Sequence, residues 1–145
     1  MDIHTGIKMS QSEVLSLLEH FDDSSDEPLH ESLDFIKYSK KLSEYACFVV
    51  AVENNQQIGF IAYYLNDENH FAYVPQVVVH RNARHRGLGH TMFNILCDSL
   101  STDIECIKLE VLKSNIYARD FYQREGFIES EDRYERLLLY KILNK

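Results

Sequence analysis

A basic segment with two glycines separates an apolar run from an amphipathic run in this 145-residue chain. The segment is residues 84–89, Arg-His-Arg-Gly-Leu-Gly; the apolar run ends in Val77-Val78-Val79, and residues 90–100 follow with helical spacing. Glycines let backbone N–H groups approach an anion closely, and the positive end of a new helix points to the same place. Arginines add fork-shaped, charge-assisted hydrogen bonds. This order of strand, basic turn and helix predicts a site for a phosphate-bearing ligand.

The charge of the whole chain makes this basic segment an exception. Lys and Arg number 15 against 23 Asp and Glu, which gives a formal net charge of −8 at pH 7. Such a chain repels polyanions, so we expect no nucleic-acid partner. A basic cluster is often just a solvated surface, but the glycines at positions 87 and 89 favour a phosphate site over that alternative.

Length and composition favour one globular protein domain. Hydrophobic residues make up 45% of the chain, which argues against disorder. No apolar run approaches the ~20 residues of a membrane span, and the N-terminus lacks the pattern of a signal peptide. The three cysteines, Cys47, Cys97 and Cys106, show no metal-ligand spacing and indicate buried free thiols. We therefore expect a cytoplasmic protein without a membrane partner or a metal, and a homodimer is left open.

Hydrophobic periodicity predicts a mixed order of helices and strands. Ser10 and Glu13 form a capping-box pattern that begins the first helix. Further helices are expected at 29–42, 90–100 and 116–124, after an acidic loop at 22–27 in the first case. Strands are expected at 46–52, 58–65, 71–79 and 104–112, with a closing hairpin from 127–128 and 133–143 that turns at 131–132; residues 3–9 give a weak strand signal. The order predicts an α+β fold, and Pro75 predicts interrupted pairing in the third strand.

Residues 77–127 resemble the GNAT superfamily of N-acetyltransferases in two patterns. Arg84, Gly87 and Gly89 match the family's acetyl-coenzyme A signature, which is Gln or Arg, two residues, Gly, one residue, and Gly or Ala. The second pattern is a strand ending in Val, then Asn, Ala, Tyr and Gly-Phe. It is matched by Leu109-Glu110-Val111, Asn115, Ala118, Phe121-Tyr122 and Gly126-Phe127. Both patterns stand in the family's order.

The resemblance implies a fold and a cosubstrate. The fold is a GNAT-like mixed, mostly antiparallel central sheet flanked by about four helices, with the fourth and fifth strands splayed apart. Acetyl-coenzyme A would enter that opening, with its pantetheine on the backbone of residues 77–79 and its pyrophosphate over the amides of residues 84–89. The candidate coenzyme-binding residues are Val77, Val78, Val79, Arg84, His85, Arg86, Gly87, Leu88, Gly89 and Asn115.

The same resemblance implies an organisation for the whole chain. Residues 1–145 would form a single acetyltransferase domain. Its acceptor-side half would lie at about 1–70, its acetyl-coenzyme A-binding core at about 71–127 and its closing hairpin at about 127–145.

The resemblance also nominates catalytic residues. Tyr122 would protonate the thiolate that leaves when the tetrahedral intermediate collapses; the alternative for Tyr122 is a core aromatic. Glu110 would take the proton of the amine, and a solvated carboxylate on the strand is the alternative. His80, His70 and Glu53 are rival bases. Asn115 either contacts the pantetheine or caps the following helix.

The predicted activity is transfer of an acetyl group from acetyl-coenzyme A to a primary amine by direct attack, since no cysteine is placed as a nucleophile. The acceptor is a small-molecule or peptide amine, and the acidic chain favours a cationic one. A noncatalytic acyl-coenzyme A-binding or regulatory module on the same fold is the alternative. A Rossmann-type nucleotide site is disfavoured, because the chain has only Gly87-x-Gly89, late in its length.

Overall fold

The computed structural model describes residues 1–24 and 29–143, so residues 25–27 of the expected acidic loop lie outside the described part. Its helices are α1 (Gln11–His20), α2 (Leu29–Ser32), α3 (Phe35–Tyr45), α4 (Leu88–Ser99) and α5 (Ile116–Arg124). Its strands are β1 (Asp2–Ile7), β2 (Ala46–Glu53), β3 (Gln56–Asn66), β4 (Phe71–Val79), β5 (Cys106–Leu112), β6 (Ile128–Arg133) and β7 (Arg136–Ile142). The predicted α+β class is confirmed.

The seven strands form one sheet in the order β1-β2-β3-β4-β5-β7-β6. β4 and β5 pair in parallel, whereas β1–β2, β5–β7 and β6–β7 are antiparallel. The parallel ladder runs from Phe71↔Cys106 to Val74↔Leu109. The next residue of β4 is Pro75, whose nitrogen carries no hydrogen for a ladder bond. The ladder therefore ends where the proline predicted an interruption.

The chain divides into two compact units, and the division crosses β4 between Pro75 and Gln76. The first unit comprises Met1–Tyr63 and Gln76–Ser99. Its core contains fully buried side chains of α1, of the residue that follows α1, and of β2, β3 and α4, including Leu18, Phe21, Phe48, Phe60 and Phe93. Phe21 packs edge-on against Phe60, with ring centroids 5.2 Å apart. Each such burial stabilises the folded state by roughly 1.5–3 kcal/mol.

The second unit comprises Tyr64–Pro75 and Leu100–Lys145. In β5, Ile107, Leu109 and Val111 are buried. They alternate with Lys108, Glu110 and Leu112, which are partly or fully exposed. This alternation was expected from the sequence, and it places Glu110 on the partly exposed face of β5.

The expected helix over residues 29–42 is wrong as one element. The structure has the single turn α2 and then α3, because Asp34 begins a new helix instead of continuing the first. The Asp34 carboxylate accepts hydrogen bonds from the backbone N–H groups of Ile36 and Lys37, at 3.1 and 3.2 Å. An aspartate that caps in this way takes extended backbone angles, which interrupts the helix before it.

The turn of the closing hairpin lies later than expected. β6 continues through residues 131–132 to Arg133, and the chain turns at Tyr134 and Glu135. Tyr134 has a φ of 65°, and its N–H donates to the Asp132 carboxylate at 3.1 Å. Asp132 thus supplies the polar turn contact, but from the last part of the strand.

Candidate functional site

The segment between β4 and α4 forms a tight turn that ends at a buried leucine. It begins with a 3₁₀ turn, Arg81–Ala83, and α4 then begins at Leu88, which is buried. His85 and Gly87 both have left-handed backbone angles, with φ of 64° and 74°. A Cβ on Gly87 would meet nothing within 4 Å, so the backbone angle, not lack of space, favours glycine there.

The start of α4 leaves donors available for an anion. The N–H and the hydroxyl of Thr91 both donate to the Gly87 carbonyl, at 3.0 and 3.1 Å, which closes the first helical turn. The first N–H groups of a helix have no carbonyl partner within the helix, and they carry its positive end. Gly87 is exposed and Gly89 is partly exposed, so this end of α4 is accessible to a phosphate.

The basic residues of the turn are not equivalent. Arg86 pairs with Glu53, with Nη1 and Oε1 at 3.2 Å. Arg81 pairs with the Asp23 carboxylate at 3.2 Å and also donates to the Asp23 carbonyl. Arg84 is exposed and has no ion-pair partner within residues 1–24 and 29–143. The sequence does not distinguish these three positive charges. In the structure, Arg84 is the arginine of the turn that can bind an anion without first leaving a carboxylate.

The valines of β4 differ in burial. Val78 is buried in the first unit, whereas Val77 and Val79 are partly exposed. After Val79, the backbone N–H of His80 donates to the Ile58 carbonyl at 2.8 Å. The side chain of Val78 therefore packs into the core, the structural role that a strand valine ordinarily has.

Helix α5 has the bounds that the sequence predicts, and both of its ends are capped. The side-chain Oδ1 of Asn115 accepts the N–H of Ala118 at 3.1 Å, so Asn115 caps the helix, one of its two expected roles. At the other end, Gly126 has a φ of 94°, and the N–H of Phe127 donates to the Tyr122 carbonyl at 2.9 Å. This is the usual arrangement at a helix C-terminus that ends in glycine.

Tyr122 lies on α5 among aromatic rings of the second unit. Its ring packs edge-on against Phe127 at 5.4 Å and against Phe121 at 5.3 Å between centroids. Burial raises the pKa of the Tyr122 phenol well above the ordinary tyrosine value. With that pKa the phenol keeps its proton at neutral pH. Tyr122 is also partly exposed, and its phenol remains a possible proton donor.

Glu110 lies on the open face of β5 and is bound by an arginine that the sequence did not single out. Arg133 of β6 donates from Nη1 to Glu110 at 3.1 Å and from Nη2 to Glu131 at 3.3 Å. Tyr73 of β4 belongs to the same surroundings: burial raises the pKa of Tyr73, the charge of Glu110 raises it further, and Arg133 and Arg136 oppose that effect.

Two of the three rival bases are held by structural contacts. Glu53 is paired with Arg86. His80 accepts the Asn82 N–H on its Nδ1 at 3.2 Å, which requires that nitrogen to be unprotonated, and its ring stacks on His20 at 5.5 Å between centroids. His70 is an exposed turn residue with a φ of 61°.

Cys47, Cys97 and Cys106 are free thiols, as expected, but they are partly exposed and not buried. Burial still raises the pKa of the Cys106 thiol. Within residues 1–24 and 29–143, no three His, Cys, Asp or Glu side chains converge as metal ligands. In the same part of the chain, no helix combines the length and apolarity needed to cross a membrane.

Comparison with known proteins agrees with this geometry. The model of the acetyltransferase (GNAT) family matches residues 13–127, which include the β4–α4 turn and α5. A PaiA N-acetyltransferase from Thermoplasma acidophilum, crystallised in complex with coenzyme A, has a TM-score of 0.77 at 18% identity and covers 98% of this chain and 99% of its own.

Two further solved structures share the fold. The ribosomal-protein-S18-alanine N-acetyltransferase from Escherichia coli has a TM-score of 0.78 at 17% identity, over 99% of this chain and 94% of its own. An acetyltransferase from Thermus thermophilus has a TM-score of 0.77 at 16% identity, over 99% and 98%. No curated protein matches the sequence.

Proposed function

Since the chain belongs to the acetyltransferase (GNAT) family, whose members are acetyl-coenzyme A-dependent N-acetyltransferases, we propose that it transfers an acetyl group from acetyl-coenzyme A to a primary amine by direct attack. The observation that carries this proposal is the β4–α4 turn. It combines two left-handed residues, the exposed N-terminus of a twelve-residue helix and an arginine without an ion-pair partner in the described chain.

The turn suits the pyrophosphate of coenzyme A. Backbone N–H groups at the start of α4 would donate to the phosphate oxygens, and Arg84 would add a charged, forked contact. His85, Arg86, Gly87, Leu88 and Gly89 complete the turn, although Arg86 must first leave Glu53 to bind a phosphate. By the family resemblance, the pantetheine amides would pair with the backbone of residues 77–79, and Asn115 acts as the cap of α5.

We assign the general-acid step to Tyr122. The amine nitrogen attacks the thioester carbonyl carbon and forms a tetrahedral intermediate. The C–S bond then breaks, and the sulfur takes the phenol proton as it leaves. The Tyr122 phenol is protonated at neutral pH, so its proton is available when the sulfur leaves, and burial, which raises its pKa, makes it a weaker acid than a free phenol.

We assign the general-base step to Glu110. An alkyl ammonium group, with a pKa of about 10 in free solution, must lose a proton before its nitrogen can attack. The Glu110 carboxylate would take that proton, directly or through one water molecule. The position of Glu110 on the partly exposed face of β5 supports the assignment. Before the acceptor binds, the Glu110 carboxylate is paired with Arg133.

The acceptor class that best suits the chain is a small or peptide amine with positive charge. The net charge of −8 attracts cations over the whole surface. Part of the acidic loop is already engaged, because Asp22 is hydrogen-bonded to the His30 ring at 2.7 Å and Asp23 pairs with Arg81. Glu110 and Glu131 share a single arginine, Arg133, so one negative charge there is left for a cationic acceptor.

The proposal is tested by thiol release from acetyl-coenzyme A in the presence of a panel of amines: spermidine, an aminoglycoside, lysine and a peptide with a free N-terminus. We expect thiol release that depends on one class of amine, with formation of the N-acetyl product confirmed by mass spectrometry. Binding of acetyl-coenzyme A without release for any amine would instead support the noncatalytic module.

A further inference from the structure

The contact between Arg133 and Glu110 spans an intervening strand. β7 lies between β5 and β6 in the sheet. Leu138 of β7 pairs with Glu110 on one side and with Glu131 on the other, so the three side chains share one face of the sheet. Arg133 lies two positions beyond Glu131, and its guanidinium reaches back to both carboxylates.

This arrangement places a protein cation at the carboxylate to which we assign the general-base step. The side chains of Arg133 and Glu131 are 44% and 57% exposed, whereas that of Glu110 is only 24% exposed. Exposed ion pairs of this kind are weak and are exchanged readily for other ions. Glu110 is the more sheltered partner of the pair, and Arg133 is the more exposed one.

We propose that the Arg133 guanidinium occupies the position on Glu110 that the ammonium group of the acceptor takes when it binds. A cationic amine then displaces Arg133 from Glu110. The inference rests on the proposed function, because it takes Glu110 as the residue that meets the amine. It adds a residue that sets acceptor affinity, and it commits the acceptor to a primary ammonium ion.

Glu131 lowers the free-energy cost of displacing Arg133 from Glu110. When Nη1 leaves Glu110, Nη2 remains bound to Glu131 at 3.3 Å, so the guanidinium is not left without a counter-ion. The compact ammonium then donates to Glu110 in place of the planar guanidinium. One cation replaces another, and the net charge at Glu110 is unchanged until the proton is transferred.

The experiment compares the wild type with Arg133→Gln, Arg133→Lys and Arg124→Gln, with spermidine as the amine. Arg124 is the matched control, since it is an exposed arginine of the same unit that pairs with Asp120 and not with Glu110. Calorimetry in about 0.15 M salt, where long-range attraction is screened, gives the Kd of spermidine. Thiol release gives the acceptor KM and kcat.

We expect Arg133→Gln to lower both Kd and KM about two- to fivefold, the range that loss of one exposed ion pair allows, and to leave kcat within about twofold. Arg133→Lys should restore values near those of the wild type, because it returns a competing cation to Glu110. A structural role that needs the forked guanidinium would not be rescued by lysine. Arg124→Gln should change neither constant.

Three results would overturn the inference: equal shifts in Arg133→Gln and Arg124→Gln, which net charge explains; a fall in kcat at constant KM, which indicates that Arg133 positions Glu110; or spermidine affinities that are equal or unmeasurable in all four proteins. If the wild type releases no thiol with any amine, the proposed function fails. The spermidine Kd values of the four proteins then test the role of Arg133 independently of catalysis.

Discussion

Arg86 and Glu53 form a two-contact ion pair, with Nη1–Oε1 and Nη2–Oε2 distances of 3.2 and 3.4 Å. Arg84, two residues earlier in the same turn, has no such partner in the described part of the chain. An arginine that is already paired must give up one carboxylate to bind a phosphate, whereas an unpaired one loses only water. The two residues therefore differ as ligands for a pyrophosphate.

We expect Arg84→Gln to weaken coenzyme A binding by roughly tenfold or more, the value of a charge-assisted hydrogen bond. Arg86→Gln should change the affinity by much less, because it removes a residue that Glu53 already neutralises. Titration calorimetry with coenzyme A measures both. Equal losses in the two variants would show that Arg86 leaves Glu53 and binds the phosphate as well as Arg84 does.

Tyr122→Phe should reduce turnover on the order of a hundredfold or more, because it removes the proton donor to the leaving sulfur. The affinity for acetyl-coenzyme A should stay within about twofold of the wild type, since the ring and its packing against Phe127 are kept. Single-turnover thiol release and calorimetry separate the two effects. Tyr117→Phe is the control, because Tyr117 is on the same helix but is 89% exposed. Normal turnover in Tyr122→Phe would remove Tyr122 from the mechanism.

Four buried or partly buried tyrosines predict a loss of stability in alkali. Burial raises the pKa values of Tyr63, Tyr64, Tyr73 and Tyr122 in the folded protein, while the unfolded chain keeps the ordinary value of about 10. The stabilisation is complete below that value and is lost as the pH rises above it, because the unfolded chain then releases protons that the folded one retains.

Urea unfolding between about pH 8 and pH 11 should therefore show a falling free energy of unfolding above about pH 10. In Tyr122→Phe the slope should be smaller, by an amount that grows with pH and approaches about 1.4 kcal/mol per pH unit, the value for one proton, near pH ~11. An unchanged slope in this variant would show that the Tyr122 phenol titrates alike in both states.

Gly87→Ala should destabilise the protein by about 1 kcal/mol, because an alanine resists the left-handed backbone angle of 74° at this position. Gly87→Asn should cost less, since asparagine tolerates that region. Steric crowding cannot produce this order, because an added Cβ has nothing within 4 Å. Chemical denaturation of the two variants tests the expectation, and an asparagine variant less stable than the alanine variant would contradict it.

Elements set by local signals were predicted well from the sequence. The predicted bounds of α5 and β4 agree with Ile116–Arg124 and Phe71–Val79. Both are delimited by residues that act on their own backbone: Asn115 and Gly126 for the helix, and Asn66 to Asn69 before the strand. β1 gave a weak signal because only two of its six residues are even partly buried, so pairing with β2 and not its own pattern defines it.

The sequence nominates candidate site residues but not the pairings among them. The sequence identified Arg84, Arg86, Glu53 and Glu110 as candidates without showing that Arg86 and Glu53 neutralise each other. Arg133 was missed altogether, because its contact with Glu110 joins residues 23 positions apart across an intervening strand. Such contacts depend on sheet order and register, which no local pattern encodes.

Helix α5 is capped at both ends but buries little surface along its length. None of its residues is fully buried, and Ile116 and Tyr117 at its start are 64% and 89% exposed. A helix with so little buried surface opens at a lower free energy than the core around it, and its amides exchange with solvent by local unfolding. The element that carries Tyr122 thus has a stability of its own, which the Asn115 and Gly126 caps can tune while the cores of both units remain intact.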